Sequence, residues 1–175
     1  TLIVYALVNR QYMMDIQQDR SVIRNFLELG LDLYIIDWGY PTAHDRYLTL
    51  EDYIEGYIDT AVDTILQRTG AEKLNILGVC QGGTFSTIYT ALNPNKVKNL
   101  ITMVTPIDFE AGAEADEGLL FKWSKHMDVD NLVDTYGVIP GELLNVGFNS
   151  LKPFQLMVDK YVGLIDYLDN PDVIE

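Results

Sequence analysis

The stretch LNILGVCQGGTFSTIYTAL, Leu74–Leu92, decides how this chain is read. Leu74–Val79 is a short apolar run with the character of a buried strand, and Gly82–Leu92 has the character of a helix. Between them stands Cys80, the sole cysteine of 175 residues. Gly78 lies two positions before it, Gly82 two positions after, and Gly83 follows, giving G-x-C-x-G with one further glycine. That is the spacing of a nucleophile elbow in which cysteine replaces serine. Such a turn holds the nucleophile in a strained backbone conformation between strand and helix. Side chains at the flanking positions would collide where the two pack closest, so glycine is favoured there. The turn also aims the backbone N–H of Gln81, and the positive end of the helix, at the reacting centre. A thiol in that place has its thiolate form stabilised. Two blander readings stand beside this one. A cysteine at the end of a buried strand serves equally as a small hydrophobe. Glycine-rich strand-to-helix turns also bind nucleotides, although the spacing here is not the dinucleotide fingerprint.

Working outward, Leu2–Val8 is a continuous apolar run and reads as a strand buried on both faces, as in a parallel sheet. Arg20–Leu29 reads as a short helix stopped by Gly30. Asp32–Asp37 reads as a second strand and Trp38–Leu48 as a polar loop. Thr49 is a candidate N-cap, with Glu51 and Asp52 in the first turn. Tyr53, Ile54, Tyr57, Ile58, Ala61, Val62, Ile65 and Leu66 then recur at helical spacing as far as Thr69, and Gly70 ends the helix. After the elbow and its helix, Asn99–Val104 is a fourth strand. Strands alternating with helices from Leu2 to Val104 predict an open, mostly parallel α/β sheet.

Beyond Thr105-Pro106 the texture changes. Asp108–Gly118 is acidic and rich in small residues, and reads as a solvated loop. Its carboxylates lack an ordered ligand spacing, so no metal site is expected. Leu119–Lys125, Asn131–Tyr136, Gly141–Asn149 and Phe154–Leu168 read as short helices. Such sheets bind ligands beyond the carboxyl ends of their strands. The division expected is therefore a partial α/β core over residues 1–105 and a helical cap, or lid, over 106–175.

Composition narrows the classes. Hydrophobic residues make up 48% of the chain, which suits a globular protein rather than a disordered one. The single cysteine excludes an internal disulfide framework and fits a reducing, cytoplasmic setting. A formal net charge of −14 argues against nucleic acid or an anionic membrane surface as partner. No apolar run approaches the length of a membrane span. Thiol acyl transfer needs a base for the thiol, a group to orient that base, and donors for the oxyanion. The donors expected are the N–H of Gln81 and one from the end of the first strand, around Val8. The histidines are His44, in the loop after the second strand, and His126, inside the helical segment. Both read as surface residues rather than as the base. The chain opens in a core-like strand and reaches Glu175 without a later strand. It therefore reads as a fragment whose C-terminal strands, catalytic acid and histidine lie elsewhere.

Several further stretches carry a resemblance. They are VYALVNR at Val4–Arg10, IDWGYP at Ile36–Pro41, LTLEDYIEGYID at Leu48–Asp59, GVCQGG at Gly78–Gly83, VTPIDF at Val104–Phe109, IPGELLN at Ile139–Asn145 and LKPF at Leu151–Phe154. In this order and spacing the chain resembles the polyhydroxyalkanoate synthases, most of all the catalytic subunit of the two-subunit, class III type. The resemblance implies an α/β-hydrolase fold with a helical cap inserted after the sixth strand of the complete sheet. It implies polymerisation of (R)-3-hydroxyacyl-coenzyme A, with short acyl groups such as 3-hydroxybutyryl, into polyester with release of coenzyme A. Cys80 would be the acylated nucleophile, and Gln81 and Val8 would give backbone oxyanion donors. The implied partners are the acyl-coenzyme A, the growing polyester chain, a second synthase subunit and further copies of the chain, at the surface of cytoplasmic granules. No cofactor is expected beyond the coenzyme A thioester that is the substrate. No residues are assigned to coenzyme A docking; Arg10, Arg24, Lys96 and Lys98 stand out only as cations in an acidic chain. Two alternatives remain open, a thiol-dependent hydrolase resembling the dienelactone hydrolases and a non-catalytic binding fragment.

Overall fold

The computed structural model describes residues 1–108 and 127–150, together with Val158 and Val162. The chain divides into two compact units, Thr1–Tyr40 with Tyr47–Phe109, and Pro41–Arg46 with Glu110–Glu175.

The first unit is built on a four-stranded sheet in the order β2-β1-β3-β4. The strands are β1 (Leu2–Val4), β2 (Tyr34–Ile35), β3 (Leu74–Val79) and β4 (Val97–Met103). Every pairing is parallel, with Ile3 opposite both Ile35 and Leu77, and Gly78 opposite Thr102. The connections carry α1 (Val22–Glu28), a long helix ending in α2 (Asp59–Thr69), and α3 (Gln81–Leu92). Because successive side chains of a strand face opposite ways, the strands divide their apolar residues between two cores. Leu2, Val4 and Ile76 meet Ile54, Ile58, Val62 and Ile65 of the long helix and Phe85 and Tyr89 of α3. Ile3, Leu77 and Val79 meet Met14 and, from α1, Val22, Ile23 and Phe26. Each aliphatic side chain so buried stabilises the fold by roughly 1.5–3 kcal/mol relative to exposure.

Local chemistry sets the ends of these elements. Ser21 caps α1 by accepting the Arg24 N–H at 2.8 Å. Thr49 and Asp52 cap the long helix reciprocally. The Thr49 N–H donates to the Asp52 carboxylate at 2.7 Å, and the Asp52 N–H donates to the Thr49 hydroxyl at 3.3 Å. These backbone and hydroxyl hydrogen bonds from Thr49 hold the Asp52 carboxyl below its usual range. Gly70 closes the helix at φ 69°, and its N–H reaches the Leu66 carbonyl at 2.9 Å. Within the helix, Asp52–Ile58 is wound as a wider π-helix.

The strands differ from expectation at their ends. β1 stops at Val4 rather than Val8, because side chains take over its hydrogen bonding. The Tyr5 carbonyl accepts the Trp38 indole N–H at 3.0 Å, and the Leu7 N–H donates to the Gln81 side chain at 3.2 Å. β2 is held to Tyr34–Ile35, within the expected Asp32–Asp37, and the chain then turns where Asp37 accepts the Gly39 N–H at 3.0 Å. β4 starts at Val97 and ends at Met103, broken by Val104 at φ 47°.

In the second unit the described helices are α4 (Val129–Tyr136) and α5 (Gly141–Asn149). Asp128 caps α4 by accepting the Asn131 N–H at 3.1 Å, and Gly137 ends it at φ 81°. Arg46 pairs with Asp134 at 2.5 Å, an exposed ion pair of small energetic weight. The helices expected at Leu119–Lys125 and Phe154–Leu168 lie outside the described residues, as does the acidic stretch from position 109 on. Among the described residues no helix is long and apolar enough to cross a membrane.

Candidate active site at the turn between β3 and α3

β3 delivers Cys80 to the carboxyl edge of the sheet with φ 54° and ψ −127°. A side chain at such a position costs of order 1–3 kcal/mol and persists only where the surroundings over-determine it. Here they do. The Cys80 N–H donates to the Met103 carbonyl of β4 at 2.9 Å, and the Cys80 carbonyl accepts the Gly83 N–H at 2.9 Å. The thiol is free and half-buried.

The surrounding glycines are demanded by contact. A Cβ on Gly78 would lie 2.5 Å from the Gly83 Cα and 2.9 Å from the Ser86 hydroxyl. One on Gly82 would run into the Val4 carbonyl and lie 2.7 Å from the Tyr5 carbonyl oxygen. One on Gly83 would strike the Thr105 side chain, at 2.8 Å from its Cβ. The first turn of α3 thus presses its bare Cα positions on the backbone of β1 and β3 and on the Thr105 side chain after β4.

The structure brings the two expected donor segments together. Gln81 opens α3, and its side-chain carbonyl accepts the Leu7 N–H at 3.2 Å. Val8, the next residue, is 41% exposed, and among the described residues its own N–H meets no acceptor. The loop after β2 fastens to the same place. Trp38 donates to the Tyr5 carbonyl and sits edge-on to Tyr53, Tyr57 and Phe85, with ring centroids 5.5, 6.5 and 6.3 Å away. Arg10 donates to the Gly39 carbonyl and lays its guanidinium 3.2 Å from the centre of the Tyr40 ring.

Two residues at this edge carry no signal in the sequence. Tyr5 packs with Cys80 on the Ile3–Leu77–Val79 core, and burial and then the charge of Cys80 push its phenol upward. Val104 adopts a left-handed conformation that a β-branched residue rarely takes. The turn it makes sets Thr105 against Gly83, and beyond it the Thr84 hydroxyl donates to the Pro106 carbonyl at 2.7 Å.

Other expected residues fall elsewhere. His44 is exposed and belongs to the second unit, and His126 lies outside the described residues. The first unit therefore contains no histidine. Lys96 is held by Asp59 and Asp63, each at 2.7 Å, while Lys98 is exposed on β4. Chemically, the first unit offers a strained thiol, a helix start beside it and a loop amide open to a ligand. That set suits formation of a thioester through a tetrahedral oxyanion.

The sequence profile described as alpha/beta hydrolase fold matches residues 6–173. The chain is 57% identical over 99% of its length to the poly(3-hydroxyalkanoate) polymerase subunit PhaC of Allochromatium vinosum, covering 48% of that protein. It is 53% identical, again over 99% of its length, to the subunit of that name from Synechocystis, covering 45% of it. The corresponding protein of Haloferax mediterranei is 43% identical over 99% of the chain, which covers 35% of that protein. The chain spans about half the length of the first of these curated relatives.

Proposed function

The chain belongs to the alpha/beta hydrolase fold family, its relatives along nearly all its length are poly(3-hydroxyalkanoate) polymerases, and from that premise we propose that it carries the nucleophile-bearing part of such a polymerase. The observation that supports this most is Cys80 itself, locked at φ 54° on a turn whose three flanking glycines leave no room for a Cβ.

In this reading the Cys80 thiolate attacks the thioester carbonyl of an (R)-3-hydroxyacyl-coenzyme A, with 3-hydroxybutyryl the first acyl group to try. The Sγ–C bond forms, the oxygen takes the charge, and the N–H groups of Gln81 and Val8 meet it. The C–S bond to coenzyme A then breaks, and the departing thiolate takes up a proton. One thioester replaces another, so the exchange loses little free energy. A hydroxyl, from the growing chain's end or the next monomer, attacks the enzyme thioester. An ester bond forms, the Sγ–C bond breaks, and the hydroxyl proton passes to a base. The first unit has no histidine for that role, and the base and its orienting acid come from outside it. Water has to be kept from the thioester, and the helical cap expected from the sequence over residues 106–175 is the means we propose. No cofactor takes part. The protein works with a second subunit and as a homo-oligomer at the surface of polyester granules in the cytoplasm.

Intact-mass spectrometry of the full-length natural protein incubated with 3-hydroxybutyryl-coenzyme A tests the reading. The expected result is an acyl adduct that disappears in Cys80→Ala. No adduct in the parent protein would sink the proposal and leave a binding role. The fold family alone fits a thiol hydrolase equally well. Release of free 3-hydroxyacid without polymer would establish that second reading.

A further inference from the structure

The Leu7 amide and the Gln81 side chain are 74 positions apart in sequence, yet they form one partly buried hydrogen bond of 3.2 Å. The amide can only donate, so it is the oxygen of the Gln81 carboxamide that faces it. This bond lies at a particular point in the loop that leaves β1. Behind it, the Tyr5 carbonyl is fixed by Trp38 and by the bare Cα of Gly82. Ahead of it comes Val8, exposed, with an N–H that no described residue accepts. Peptide planarity leaves only two soft torsions per residue, so fixing the Leu7 N–H restricts the direction of the next amide.

We infer that Gln81 is a positioning residue for acyl transfer: its side-chain oxygen, by holding the Leu7 amide, sets the Val8 N–H in place for the thioester oxygen. This rests on the polymerase reading above. One residue then governs both oxyanion donors, its own N–H directly and that of Val8 through the carboxamide. The sequence motif G-x-C-x-G leaves the residue after cysteine unspecified, and nothing in the spacing points to its side chain.

The test separates positioning from mere structure by comparing two reactions of one thiol. Acylation by a thioester develops an oxyanion; alkylation by iodoacetamide, a displacement at a CH2 carbon, does not. In the full-length natural protein, Gln81→Met keeps the length and removes the acceptor, while Gln81→Glu keeps an acceptor oxygen. Single-turnover acylation of Cys80 by 3-hydroxybutyryl-coenzyme A should slow about tenfold or more in Gln81→Met, with half-saturation unchanged to within about twofold. Alkylation of Cys80 by iodoacetamide should stay within about twofold of the parent, because it does not draw on the donors. In Gln81→Glu the ratio of acylation to alkylation should recover most of the loss. Equal acylation in parent and Gln81→Met overturns the inference alone, as does a parallel fall in both reactions. A parent protein that alkylates but never acylates overturns the polymerase reading and the inference with it.

Discussion

Among the described residues two other than glycine sit at positive φ, Cys80 at 54° and Val104 at 47°. Cys80 follows β3 and Val104 follows β4, at the same edge of the sheet. Cys80→Gly relieves strain of about 1–3 kcal/mol against a smaller entropic cost in the unfolded chain, so we expect a net gain of about 1 kcal/mol. The melting temperature should rise by about 2–4 °C while acylation is abolished. A lower melting temperature would show that the strain is not there. The glycines make a graded prediction. Gly82 faces the backbone carbonyls of Val4 and Tyr5, which cannot retreat, whereas Gly83 faces the side chain of Thr105. Gly82→Ala should therefore cost about 3 kcal/mol or more and Gly83→Ala distinctly less, read as their thermal unfolding midpoints. At this scale the sequence was legible where chemistry is local. Cys80 and its glycines can be read from spacing, since a sharp strand-to-helix turn needs bare Cα positions at fixed offsets, whereas the groups that press on them, Val4, Tyr5, Met103 and Thr105, lie far off in the chain. The Gln81–Leu7 bond, the approach of Tyr5 and the twist at Val104 join segments far apart in the chain, and no local pattern encodes them.

Elements are fastened to one another through few polar contacts, and one of these titrates. Asp59, at the start of α2, accepts from the Tyr89 hydroxyl of α3 and from Lys96 just before β4, each at 2.7 Å. Burial alone would push the Asp59 carboxyl up. The hydrogen bonds from Lys96 and Tyr89, with the Lys96 charge, outweigh it and bring it below the ordinary value of 3.8. Burial and the Asp59 hydrogen bond push the Tyr89 phenol well above its ordinary value. Because the folded carboxyl binds its proton less readily than the unfolded one, its contribution is complete above the unfolded value. It is lost as the pH falls through the lower, folded one. Lys96→Met should therefore flatten the rise of stability with pH in that acidic window, measured by denaturant unfolding. An unchanged slope would remove the pair from the account. Tyr89→Phe leaves the carboxylate one donor short and should cost about 1–3 kcal/mol. Elements themselves were readable to the degree that their own side chains define them. β3 and α5 fall where the apolar run and the flanking proline and glycines place them. β1 was overread, because an apolar run reports burial and not ladder hydrogen bonds, and Trp38 and Gln81 capture those of Tyr5 and Leu7. The π-helical winding of Asp52–Ile58 leaves the hydrophobic period almost unaltered, so no pattern betrays it.

At the scale of the molecule, the sheet has unequal edges. β2 is two residues long and β4 seven, and β4 pairs only with β3 among the described strands. Short edges resist pairing with other chains, and long apolar ones invite it. Ile101 and Met103 of β4 are 52% and 45% exposed. We expect the 175-residue chain, produced alone, to associate with rising concentration in light scattering despite its net charge of −14, and Ile101→Lys to suppress that association. Concentration-independent scattering of a monomer would refute this. The parallel α/β architecture was legible from the alternation of strands and helices. The strand order β2-β1-β3-β4 was not, because order depends on crossovers that composition does not record. One bond ties this edge to the chemistry. The amide of Cys80 is held by the carbonyl of Met103, the last residue of β4. Cys80, the proposed nucleophile, is thereby coupled to the edge strand. In hydrogen exchange the Cys80 amide should keep pace with β4 rather than with the sheet's interior, and whatever comes to lie along that strand will slow both clocks together.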